Sequence, residues 1–262
     1  MLICRRCAWF LLAACLWALA APVSGLAESI RVGIGFAIPP YVIRSEDAGV
    51  EVDIIREALG RVGVEAEFIY LPNLRLPVAF AEGSVDCVAA NAGYDLAADS
   101  GVPAYYSTIT VIFHNYAVSL EKNGFSIMSI EDLADKRVLA FNNAAKYLGR
   151  DFAAMAASNA RYSELADQAL QVRMLLSGRV DVVISDKRIF LYWMKKNNRY
   201  SGLGIKPGES RLAFHSIFPP APRRVAFRDE DLRTRFDQGL GLLNSEGGIK
   251  VIEERYAGVE EE

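Results

Sequence analysis

Histidine is nearly absent from this chain: His114 and His215 are the two among 262 residues. Cysteine is scarce in the same way, because Cys4, Cys7 and Cys15 crowd the amino terminus and leave Cys87 alone in everything that follows. Two separated histidines and one thiol exclude a disulfide framework and any Cys/His zinc spacing. No Gly-x-Ser-x-Gly elbow and no phosphate-binding loop appear, which removes the common nucleophilic and nucleotide chemistries. Positive charge is short as well, with 29 Lys and Arg against 32 Asp and Glu. Such a balance excludes nucleic acid as a partner, since phosphates demand a basic face. Cys87, inside Val85-Asp86-Cys87-Val88-Ala89, reads as a buried and inert thiol.

What is present begins with a long apolar run. Arg5 and Arg6 precede Ala8 to Ala21, which carries no charge, and Pro22, Ser24 and Gly25 then break it. Gly25-Leu26-Ala27 puts small residues at the two positions a signal peptidase inspects, so residues 1–27 are expected to be a secretory signal removed before Glu28. The run is shorter than the roughly 20 residues a membrane-spanning helix needs. The alternatives are an uncleaved anchor, or lipoprotein processing at Cys15 that would leave Leu16 to Ala21 as an apolar stub. Cleavage after Ala27 leaves 235 residues with 27 basic and 32 acidic side chains, enough for one large domain or two lobes. The expected compartment is the periplasm.

The remaining chain alternates strand and helix patterns. Ile30–Ile34 reads as a buried strand, 53–62 as a helix with Ile54, Ile55, Ala58, Leu59 and Val62 on one face, and Glu65–Leu71 as a strand. A helix over 74–82 and a buried strand over 85–89 follow, the grammar of a parallel sheet covered by helices. The same grammar restarts with a strand at 137–141, helices at 144–157 and 167–177, a strand at 180–184 and a helix at 188–196. Gly83-Ser84-Val85-Asp86-Cys87-Val88 and Gly178-Arg179-Val180-Asp181-Val182-Val183 share Gly-x-Val-Asp-x-Val, each where a helix ends and a strand begins. That shared context predicts two related lobes. The β-rich stretch 107–119 and the strand-like segments around Pro219-Pro220-Ala221-Pro222 are placed to cross between them. Helices at 230–243 and 248–256 would return to the first lobe. The expected division is 28–112 plus 213–262 for lobe 1 and 113–212 for lobe 2, an α/β fold of two Rossmann-like lobes joined by hinge strands.

These residues resemble family 3 of the bacterial extracellular solute-binding proteins. The resemblance runs through Arg31-Val32-Gly33, Pro39-Pro40-Tyr41, Gly49-Val50-Glu51-Val52-Asp53 and Gly83-Ser84-Val85-Asp86. It continues through Ala104-Tyr105-Tyr106-Ser107, Ile130-Glu131-Asp132-Leu133, Lys136-Arg137-Val138 and Gly178-Arg179-Val180-Asp181 with Ser185-Asp186, ending at Gly248, Ile252 and Tyr256. It implies a Venus-flytrap, type II periplasmic binding protein fold with a ligand cleft between the lobes. It also implies a small-molecule ligand, an ABC importer permease or a membrane sensor as partner, a monomer, and no cofactor, metal or catalysis.

The resemblance places Tyr41 over the ligand, Asn91 and Gly93 beside it, and Asp186 on a ligand amine. The alternatives are a packed ring at Tyr41, a plain loop glycine at Gly93 and a helix cap at Asp186. Asn143, Ala144 and Lys146 lie where a strand gives way to a helix, so backbone N–H groups there suit a carboxylate or phosphate; Asn143 as a simple cap is the alternative. Amino-acid receptors of this family usually carry Thr-x-x-Arg after the third strand, but residues 94–102 contain no Arg, and Asn143-Ala144 stands where Gly-Thr is usual. Arg75 is the candidate replacement cation, unless it is a solvated helix residue. The fold also hosts periplasmic cyclohexadienyl and arogenate dehydratases, so an enzyme with Glu164, Asp186 or Lys146 as acid or base is the competing expectation. The exported protein should have the intact mass of a chain beginning at Glu28, with Trp193 as its single tryptophan; a retained Met1 or a lipid on Cys15 would contradict this.

Overall fold

The computed structural model describes residues 28–36, 38–200 and 211–257. The expected signal and the Glu260–Glu262 tail lie outside the described residues. Each half of the chain builds its own five-stranded sheet. In the first, β1 (Glu28–Gly35), β2 (Val64–Leu71) and β3 (Cys87–Asn91) run parallel. The strand β4 (Tyr105–Phe113) and the late strand β10 (Ala221–Phe227) complete the order β2-β1-β3-β10-β4, with β10 antiparallel to both neighbours. The second sheet has the order β7-β6-β8-β5-β9, from β5 (Asn115–Leu120), β6 (Val138–Phe141), β7 (Tyr162–Leu165), β8 (Val182–Asp186) and β9 (Leu212–His215).

The apolar runs became central strands because helices cover both faces of a parallel sheet. In the first lobe these are α1 (Val50–Gly60), α2 (Leu76–Ala81) and α3 (Leu96–Ser100), joined from the carboxyl end by α8 (Glu230–Ser245) and α9 (Gly248–Ala257). The second lobe has α4 (Ala144–Tyr147), α5 (Arg150–Ser158), α6 (Gln168–Leu176) and α7 (Lys187–Tyr200). The expected face of α1 is the buried one, with Ile54, Ile55, Ala58 and Leu59 inaccessible in the first core. Among the described residues no helix is long and apolar enough to cross a membrane.

Two local expectations differ from what forms, and one strand was not expected at all. The helix read over 144–157 is two helices, because Gly149 adopts φ 93° and breaks it after one turn. The strand β7 carries Ser163 and Glu164 and has little apolar character of its own; its pairing with β6 makes it a strand. The stretch 107–119 bends at His114, so that β4 belongs to the first sheet and β5 to the second. The link from β9 to β10 crosses beside it, since β9 pairs with β5 and β10 with β4.

The sequence repeat is a repeat of ionic geometry. Arg31 donates its backbone N–H, Nε and Nη2 to Asp86, and Arg137 donates the same three groups to Asp181, at 2.6–3.2 Å. Each arginine also reaches back to a carbonyl of the preceding turn, Gly83 or Arg179. Gly83 and Gly178 both hold positive φ, which lets the chain turn from helix to strand. Both carboxyls sit below the ordinary carboxylate range, Asp181 chiefly through the Arg137 side chain and Asp86 through Arg31 against the opposing effect of burial.

A close approach fixes α8 on α1: a Cβ on Gly239 would lie 2.0 Å from the Ala58 carbonyl oxygen. Gly239→Ala must push the helices apart and should destabilise the protein by about 1–3 kcal/mol, as overpacking does. Gly241, on the exposed face of the same helix, has open space around it. Gly241→Ala should instead stabilise by about 0.5–1 kcal/mol. Urea denaturation of the two variants checks both signs.

Candidate ligand site between the lobes

In sheets of this type ligand groups gather at the carboxyl ends of parallel strands, where loops are free to present polar atoms. Here those ends meet the crossings. Asn91, the last residue of β3, pairs with Arg223 of β10, and Asp186, the last residue of β8, pairs with Asn115 just past His114.

Asp186 is 3% exposed. Its Oδ2 accepts the His114 backbone N–H at 2.7 Å and its Oδ1 accepts that of Ile189 at 3.1 Å, so it does cap α7. The Arg188 backbone N–H adds to the cap, and from the other lobe the Tyr41 hydroxyl donates to both oxygens at 3.2 Å. Burial pushes the Asp186 carboxyl above the ordinary carboxylate range, against the pull of these hydrogen bonds. Tyr41 is itself buried, its ring centred 4.1 Å from that of Phe113. Burial first, and then the Asp186 charge, push its phenol up. The Tyr41 loop is anchored because the Glu51 N–H donates to the Tyr41 carbonyl at 3.1 Å. Gly49, at φ 132°, lets it pass, since any Cβ there would lie 2.4 Å from the same carbonyl oxygen. Tyr256 of α9 closes the support, accepting the Gly49 N–H and donating to Asp53.

A cavity of about 560 Å³ opens beside this contact. Tyr41, Ile109 to Ile112 and Glu253 line it from the first lobe, and Tyr116, Asp186, Lys187 and Arg188 from the second, with His114 between them. Arg188 pairs with Glu253 across the junction at 2.9 Å. A smaller cavity of about 250 Å³ lies between Pro72, Asn73 and Leu74 on one side and Asn142, Asn143, Lys146 and Tyr147 on the other. The expected site residues therefore divide. Tyr41 and Asp186 meet at the larger cavity, while Asn143 and the exposed Lys146 line the smaller one. Ala144 is buried in the second core. Gly93 and Arg75 are exposed and line neither cavity.

The backbone N–H groups expected to receive an anion already have one. Glu164, on β7, accepts the Asn143 N–H at 2.6 Å and the Ala145 N–H at 3.0 Å, and the Tyr162 hydroxyl at 2.7 Å. Burial alone would raise its carboxyl, but these three donors carry it below the ordinary range. Asn143 makes no side-chain cap and takes φ 63° instead.

Arg223 escaped the sequence reading. It is buried in β10, donates Nε to Glu51 Oε1 at 2.7 Å and Nη1 to Asn91 at 3.1 Å, and lies over the Phe113 ring. The signal available was Arg223-Arg224 inside a strand-forming segment, a charge where an apolar residue is the rule. Glu51 is fully buried, and its Oε2 has no hydrogen-bond partner among the described residues. Glu51 lies two positions before the helix read from the sequence, and nothing local marks it as half of an ion pair. Among the described residues no group of His, Cys, Asp and Glu side chains is placed to hold a metal ion.

Two α/β lobes joined by paired crossings, with a buried acid and a cavity at the junction, define a bilobed binding-protein architecture. Residues 30–259 match the bacterial extracellular solute-binding proteins, family 3, and the chain belongs to that family. The fold is shared with an ancestral arginine-binding protein bound to arginine, at 20% identity and a TM-score of 0.65 over 89% of this chain and 100% of that one. It is shared with a histidine kinase sensor domain similar to periplasmic binding proteins, at 19% identity and a TM-score of 0.66 over 89% and 98% of the two chains. An ancestral amino acid-binding protein described as a precursor of cyclohexadienyl dehydratase matches at 17% identity and a TM-score of 0.65, over 87% and 95%. No curated protein matches the sequence significantly.

Removing Arg223 leaves the Glu51 carboxylate buried without its counter-charge. Arg223→Met should therefore cost about 3–5 kcal/mol of stability, and adding Glu51→Leu should recover most of that loss. Chemical denaturation of the single and double variants measures both.

Proposed function

We propose that this protein is an exported solute receptor that captures a small polar, amine-containing molecule between its lobes, without altering it, for an ABC importer or a membrane sensor. Asp186 carries the reading. It is a buried carboxylate on the wall of the junction cavity, and among the described residues the Tyr41 hydroxyl reaches it from the opposite lobe. An ammonium group is a stronger donor to a carboxylate than a phenol is, so a ligand amine would replace the tyrosine there. Tyr41, Phe113 and the Ile109–Ile112 strand would cover its apolar body. The lobes would move about His114 and the 216–220 link, so that β9 (Leu212–His215) travels with lobe 2, where the expected bound at 213 had split it. Thermal-shift screening against amines, amino acids, organic acids and sugars identifies the ligand; at 100 times its dissociation constant it should add about 2.7 kcal/mol.

Asp186→Asn keeps the shape and removes the charge. With the best ligand, calorimetry should show affinity reduced by about 2–5 kcal/mol in binding free energy, the cost of stranding one partner of a desolvated pair. A change of less than threefold would reduce Asp186 to the cap of α7.

A dehydratase remains the second reading on one observation: burial raises the Asp186 carboxyl, as a proton donor in a cleft requires. Of the other candidates, Glu164 is tied to three donors and held low, which suits a structural anion and not an acid. Turnover of prephenate or arogenate would establish the enzyme and overturn the receptor.

A further inference from the structure

Two carboxylates and two cations line the larger cavity: Asp186, Glu253, Lys187 and Arg188. Arg188 and Glu253 face each other across the junction and pair at 2.9 Å. Asp186 and Lys187 are left, neighbours in the chain and both on the second lobe. Among the described residues no carboxylate pairs with the Lys187 ammonium, which lies 5.5 Å from the centre of the Phe214 ring. A ring face is a weaker partner for a cation than a carboxylate is, so this ammonium is open to an anion. Arg75 and Lys146, the cations singled out in the sequence, do not line this cavity.

Both side chains start from a fixed point. The His114 backbone N–H donates to Asp186 Oδ2 at 2.7 Å, and the Lys187 N–H donates back to the His114 carbonyl at 3.1 Å. These reciprocal bonds root residues 186 and 187 on the bend where the chain crosses between the lobes. Phe214, beside the Lys187 ammonium, meets Tyr116 edge to face with ring centres 5.8 Å apart, and Tyr116 lines the same cavity. The first lobe faces them with Ile109, Val111 and Ile112. A ligand lying between would find both charges on one lobe and an apolar wall on the other. An amine with no anionic group would meet the like charge of Lys187 on its way to Asp186, and an anionic group on the same molecule would turn that repulsion into attraction. Lys187 is exposed, and water screens it while the cavity is open. A ligand body packed on the isoleucine wall displaces that water and strengthens the pair.

We infer that Lys187 receives an anionic group of the ligand whose amine Asp186 holds, and so sets a preference for zwitterions over simple amines; this rests on the reading of Asp186 given above. The second lobe then grips the whole polar head from two adjacent residues, and the first lobe covers the body. Lys187 is a specificity residue in this arrangement, because its charge separates two ligands that Asp186 alone would treat alike.

Pairs of molecules that differ by one carboxylate test this. Calorimetry on the exported chain would compare lysine with 1,5-diaminopentane, arginine with agmatine, ornithine with putrescine, and tyrosine with tyramine. In every pair that binds, the carboxylate-bearing member should bind at least threefold more tightly. Lys187→Met, which keeps the stem beside Phe214, should weaken that member at least threefold and leave the simple amine as tight or tighter. Lys187→Arg keeps the charge and should bind within threefold of the unaltered chain, while Asp186→Asn should weaken both members. Simple amines binding within threefold of their partners would overturn the inference, and so would a loss of less than threefold in Lys187→Met. Either result leaves Asp186 as the amine partner, provided Asp186→Asn still weakens binding. Equal weakening of both members by Lys187→Met would make Lys187 a structural residue and overturn its part in specificity. A loss of carboxylate affinity in Arg75→Ala or Lys146→Met in place of Lys187→Met would move the anion to another cation and overturn the inference equally. No binding by either member of any pair would overturn this inference together with the amine reading of Asp186 on which it rests.

Discussion

A carboxylate cannot be taken out of water without donors, and in this protein the donors to Asp186 come from three separate elements. The bend at His114 supplies one N–H, the first turn of α7 supplies another, and the Tyr41 hydroxyl reaches over from the first lobe. Each contact constrains a different part of the molecule: where the chain crosses, where the second-lobe helix starts, and how the lobes face each other. The buried charge makes this arrangement expensive to disturb and therefore specific. The backbone donors belong to the elements beside Asp186, whereas the tyrosine hydroxyl belongs to the opposite lobe.

The support behind Tyr41 shows how far that constraint extends. Its carbonyl is bonded to the start of α1, the glycine before that helix is bonded to Tyr256 of α9, and its ring rests on Phe113 at the end of β4. Phe113 in turn underlies Arg223, whose guanidinium is balanced by Glu51. The carboxyl-terminal helices thus serve the site from a distance, by fixing the loop that fixes the ring. Sheet, hinge and site are one connected packing problem in the first lobe.

Two kinds of ion pair coexist and do different work. The Arg31–Asp86 and Arg137–Asp181 pairs repeat the same geometry at the foot of each sheet, partly open to solvent, and tie a turn to the strand it precedes. Their contribution is orientation more than energy, as expected for pairs that water still reaches. The pairs near the junction differ: Arg223–Glu51 is shielded from water, and Arg188–Glu253 crosses between the lobes.

The periodicity of the sequence determined much of this architecture. Alternating buried runs and amphipathic segments made two parallel-sheet lobes legible, and the repeated Gly-x-Val-Asp marked their kinship, because both signals depend on neighbours within a turn or a strand. Tyr41 and Asp186 were legible as candidates through their motifs. Their contact was not, nor were Arg223 with Glu51 and Glu164 with the Asn143 and Ala145 N–H groups. Those partners stand 145, 172, 21 and 19 positions apart. Even Glu164, the nearest of them, lies on a strand that owes its existence to pairing with β6. Residue type and spacing dictate which groups seek partners. Which partner each obtains is decided only when strand order and the crossings bring distant segments within hydrogen-bond reach, and burial then makes that choice binding.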